Sequence, residues 1–72
     1  MEKRKLIVSY DREADVAYLS FGDPKPSTTE EVNEYVLVRR DPETREIRGL
    51  TITNFSDYFR INKEMKLEIP EP

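Results

Sequence analysis

At 72 residues the chain has room for one domain at most, and only for a small core. Its 12 basic and 15 acidic side chains leave a net charge of −3, so its overall field does not draw it to nucleic acid. It has no cysteine and no histidine, which excludes disulfide staples, thiolate zinc centres, cysteine nucleophiles and imidazole acid–base catalysis together.

After Met1-Glu2-Lys3-Arg4-Lys5 only Leu6 to Val8 are apolar, shorter than a secretory signal needs. No apolar run approaches the roughly 18 residues of a membrane span, so no membrane partner is expected and the cytoplasm is the default address. Although 38% of residues are charged, the apolar ones alternate regularly, as in a folded β protein.

The first predicted strand covers Lys3 to Tyr10, with Leu6, Val8 and Tyr10 on one face and Ile7 and Ser9 on the other. Asp11-Arg12-Glu13-Ala14 reads as a hairpin loop, because an Asp carboxylate accepts bonds from backbone N–H groups two residues on. The second strand, Asp15 to Phe21, puts Ala17, Leu19 and Phe21 on one face and Val16, Tyr18 and Ser20 on the other. Gly22-Asp23-Pro24-Lys25-Pro26 ends it, since proline cannot donate to a ladder.

A third strand is predicted from Thr29 to Arg40, alternating Val32, Glu34, Val36 and Val38 against Asn33, Tyr35, Leu37 and Arg39. Asp41-Pro42-Glu43-Thr44 supplies the next turn, and Glu46 to Thr53 the fourth strand. There Ile47 cannot share a face with Leu50 and Ile52 unless a bulge near Arg48-Gly49 adds a residue.

From Asn54 or Ser56 to about Asn62 the pattern becomes helical, with Phe55, Tyr58, Phe59 and Ile61 apolar. The helix is expected on the sheet face of Leu6, Val8, Leu19, Phe21, Val36, Val38, Leu50 and Ile52. The expected fold is α+β and mostly β, a four-stranded antiparallel meander with one short C-terminal helix on one face. It forms one domain over 1–72, with a core of about 3–62 and residues 63–72 as a tail or an added edge strand.

The run Tyr10-Asp11-Arg12-Glu13-Ala14-Asp15-Val16-Ala17-Tyr18-Leu19, followed by Gly49-Leu50-Thr51-Ile52-Thr53-Asn54-Phe55-Ser56, resembles domain-of-unknown-function family 2283, a group of short prokaryotic proteins. The resemblance extends over roughly Leu6 to Phe59 and implies a four-stranded meander followed by a helix. It implies no assigned activity, substrate or catalytic residue. Gene context in the family implies that some members are antitoxin-like partners of small neighbouring-gene proteins. Two departures stand out: Thr44-Arg45 replaces the glycine often seen in the third-to-fourth strand turn, and Phe55 stands where a small residue is usual.

Three surfaces are candidates. Asp11, Glu13 and Asp15 alternate as ligands do in a calcium loop, but Val16 stands where its glycine belongs and Gly22 where its closing acid belongs, so no metal or cofactor is expected. Arg39, Arg40, Arg45 and Arg48, with Lys3 to Lys5, are a candidate patch for an anionic partner such as nucleic acid; strand arginines paired with glutamates are the competing reading. Ile7, Val16, Tyr18, Tyr35 and Leu37 share the face opposite the helix, and tyrosine favours interface cores, so they are the candidate interaction surface. With no catalytic set, the expectation is a non-enzymatic interaction module, self-associating, with a small basic protein as a further partner.

Overall fold

The structure, a computed structural model, describes residues 5–23 and 25–68. Strands β1 (Leu6–Asp11), β2 (Val16–Phe21), β3 (Thr28–Glu31), β4 (Val36–Arg40) and β5 (Ile47–Thr53) form one antiparallel sheet, and α1 (Phe55–Ile61) follows. The strand order is β1-β2-β5-β4-β3. A β1–β2 hairpin is thus joined to a β3–β4–β5 meander by pairing of β2 with β5, leaving β1 and β3 at the edges. The antiparallel sheet with a short C-terminal helix is as expected, but it has five strands and not four, and it is not the expected simple meander, because β2 pairs with the last strand and not with the next one.

The fifth strand comes from the predicted span 29–40, which breaks at Asn33. The Asn33 Oδ1 accepts the N–H groups of Tyr35 at 2.8 Å and Val36 at 3.0 Å, and the Val32 N–H donates to the Val36 carbonyl at 2.9 Å. This local bonding competes with the ladder and folds the segment back as the β3–β4 hairpin, pairing Thr28 with Arg40 and Glu31 with Leu37.

The other two hairpin loops share one construction. The Asp11 Oδ1 accepts the N–H groups of Glu13 at 3.0 Å and Ala14 at 3.2 Å, and the Asp41 Oδ1 those of Glu43 at 2.8 Å and Thr44 at 2.9 Å. Each loop then closes on a residue in the left-handed region, Asp15 at φ 57° and Arg45 at φ 67°.

Between β4 and β5 the register shifts: Arg39 pairs with Gly49 but Arg40 pairs with Ile47, so Arg48 is the extra residue of a bulge. The bulge returns Ile47 to the face of Leu50 and Ile52. That face holds the core, with Ala17, Val36, Val38 and Ile52 buried. Phe55 of the helix, Met65 and Leu67 pack against the cluster of Ala17, Val36 and Ile52. Met65 and Leu67 do so without forming a strand, so residues 63–68 add no edge to the sheet; residues 69–72 lie outside those described, as does the predicted strand start at Lys3.

The helix covers less of this face than its sequence pattern predicts. At seven residues it is about 10 Å long, half the length of a six-residue strand. It reaches from Tyr10 to Tyr35, with Phe55 5.7 Å from the Tyr10 ring and Tyr58 5.0 Å from the Tyr35 ring. The two remaining apolar positions of β1 on this face are left open, Leu6 at 50% and Val8 at 63% exposure.

Candidate interaction surface

Two carboxylates of the first hairpin, Asp11 and Asp15, are committed to the fold in different directions, while Glu13 is exposed. While Asp11 caps its own loop, the Asp15 Oδ1 accepts the Tyr10 hydroxyl at 2.5 Å and the backbone N–H of Ser56 at 3.0 Å, and the Asp15 carbonyl accepts the Phe55 N–H at 3.0 Å. The helix N-cap, Asn54, makes no side-chain cap bond and is itself left-handed at φ 51°. Asp15 therefore supplies the cap from 41 residues away in sequence. The Tyr10 hydroxyl, and then the Ser56 amide, hold the Asp15 carboxyl below its ordinary pKa, and the same bond raises that of Tyr10. Among the described residues no three acidic side chains converge on a point where a metal ion would sit.

The four arginines do not gather into an open patch. Arg40 is 2% exposed, with its Nε on the Glu30 carboxylate at 3.0 Å and its Nη1 on the Arg45 carbonyl at 2.8 Å. The Arg45 Nη1 donates to the Thr28 hydroxyl at 3.2 Å, and the Arg48 Nη2 to the Asp41 carboxylate. The Thr44 amide, the Arg48 guanidinium and the Glu43 amide together push the Asp41 carboxyl well below the usual carboxylate range.

Arg39 crosses the sheet. Its Nη2 reaches over Gly49 of β5 to the Leu19 carbonyl and the Ser20 hydroxyl of β2, both at 2.9 Å. A methyl group at Gly49 would overlap the Leu19 carbonyl oxygen and the Arg39 guanidinium, so the glycine is what lets the strap lie flat.

On the face away from the core, Tyr18 is exposed and Ile7, Val16 and Leu37 are half-buried. Tyr35 does not join them. It precedes β4 in the Asn33 turn, where strand alternation no longer applies, and its ring stands edge-on to Tyr58 of the helix. The pair of tyrosines expected at the centre of that face is therefore not formed, and Arg39 straps its middle with polar bonds.

The larger apolar exposure is on the other side of β1, where Leu6, Val8 and Tyr10 are all exposed along one face of the strand. This band adjoins backbone that has no hydrogen-bond partner among the described residues. The Gly22 N–H donates to the Lys5 carbonyl at 2.8 Å, which makes Lys5 and Gly22 a hydrogen-bonded pair. Antiparallel alternation then turns the N–H and C=O groups of Ile7, Ser9 and Asp11 toward β2, and those of Leu6, Val8 and Tyr10 outward. The sequence carried only part of the signal, three alternating apolar residues in a first strand; that the helix leaves them open is seen in the structure alone.

The family model described as "Protein of unknown function (DUF2283)" matches residues 7–56, from the second residue of β1 to the start of the helix. The match includes Tyr10, Asp15 and Ser56, which join the first hairpin to the helix. No curated protein and no solved structure matches the chain.

Proposed function

The chain belongs to that family, and from its β1 margin we propose a small non-enzymatic protein-interaction module of the cytoplasm, regulatory or antitoxin-like in type, that binds through the apolar band of Leu6, Val8 and Tyr10. One observation carries this reading: Leu6 and Val8 are exposed beside a strand edge whose outward backbone groups have no partner among the described residues. Edge strands with apolar side chains recruit another strand, because main-chain bonds and side-chain burial are gained together.

This band lies on the face of the β1–β2 pair opposite Tyr18. Binding of an anionic partner by Arg39, Arg40, Arg45 and Arg48 is not favoured, since these side chains are used within the fold.

The test is a photo-crosslinking residue at Val8, with one at exposed Glu43 as control, in the native cell. Adducts specific to position 8 are expected. Equal labelling at both positions would end the proposal.

A further inference from the structure

Resting on that reading, we infer that the occupant of the β1 margin is a second copy of this chain, its β1 antiparallel to the first and centred on Val8. The two edges of the sheet are built differently. β3 is four residues long, Thr28-Thr29-Glu30-Glu31, and its acids discourage a neighbouring strand. β1 carries no charge, proline or bulge between Leu6 and Tyr10, so these three protections against strand addition are absent there.

The outward pattern of β1 is self-complementary. With Val8 opposite Val8 of the second copy, Leu6 lies opposite Tyr10 and Tyr10 opposite Leu6, and every outward N–H and C=O of those three residues finds a partner. A shift that places Leu6 opposite Val8 leaves the groups of Tyr10 without a partner inside the strand. The Val8-centred register also sets Lys5 opposite Asp11 at both ends, a charge match created by the same two-fold axis. On the core side it lays Leu6 of one copy beside Tyr10 of the other, whose ring lies 5.7 Å from that of Phe55. The open apolar positions of β1 are then covered by their own symmetry mates.

The chain has no cysteine, so Val8→Cys makes a single-thiol protein. Hydrogen-bonded antiparallel residues stand about 5.5 Å apart at Cα, within disulfide reach. Mild oxidation should therefore link Val8→Cys into a covalent dimer, and leave Tyr18→Cys, on the opposite face, unlinked. By sedimentation the wild-type chain should show twice its monomer mass at about 1 mM, Lys5→Glu should weaken the dimer about 2- to 5-fold, and Val8→Pro should be a folded monomer. The proline is tolerated by the fold because the Val8 N–H faces away from β2.

A wild-type chain that stays monomeric at that concentration, or a Val8→Cys protein that links no faster than Tyr18→Cys, overturns the self-pairing. Adducts at position 8 to other proteins would then leave the interaction reading standing with a different occupant.

Discussion

Arg45 shows how a single residue records a compromise. At φ 67° its backbone is in the left-handed region, where a side chain costs about 1 kcal/mol and glycine costs none. Its carbonyl accepts the buried Arg40 guanidinium whatever side chain it carries, and its own guanidinium gains one exposed bond to Thr28. Arg45→Gly is therefore expected to stabilise the protein by about 0.5–1 kcal/mol, measured by chemical denaturation. The departure from the family's glycine at this turn was visible in the sequence, as were the turn-forming roles of Asp11 and Asp41, because each acts within three residues of itself. The role of Asp15 was not visible. Its partner Ser56 lies across the fold, and only the pairing of β2 with β5 brings the two together.

At the scale of elements, the sheet is tied across its strands as well as along them. Arg39 on β4 passes over β5 to β2, and the absence of a side chain at Gly49 makes the crossing possible. Gly49→Ala should cost about 1–3 kcal/mol, as overpacking does. Adding Arg39→Ala should not recover the loss, because the Leu19 carbonyl also occupies the space the methyl group needs. A double-mutant cycle by thermal unfolding checks both statements. The bulge beside Gly49 was legible because Ile47 broke a strict parity, and parity in a half-buried strand is a strong signal. The break at Asn33 was not, since the valines and Tyr35 around it alternate as they would in an unbroken strand while the Asn side chain makes the turn.

For the molecule as a whole, two carboxylates hold parts of the fold together, Asp15 joining hairpin to helix and Asp41 closing the β4–β5 loop. Both have folded-state pKa values below the ordinary one, so what they contribute is full above about pH 4 and is lost as the pH falls through the lower folded values. Tyr10 runs the other way: its raised pKa makes its contribution complete below about pH 10 and lost as the pH climbs through the folded value. The melting temperature of the wild type should thus fall below pH 4. A variant with both Asp15→Asn and Asp41→Asn should start lower and show a flatter acid limb. The extent of helix coverage was the least legible feature of all. Apolar patterning marks which face of β1 seeks burial, but the seven-residue helix meets Tyr10 and not Leu6 or Val8, and that depends on where Asp15 anchors its first turn.

The short acidic β3 has a further consequence for assembly. A sheet with two adhesive margins adds copies without end and grows into a fibre; one with a single adhesive margin stops after the first addition. Joined at β1, two copies would make a sheet of twice the five strands, with a β3 at each outer margin. Glu30 and Glu31 on those margins would then terminate growth, giving a closed pair in place of an open polymer.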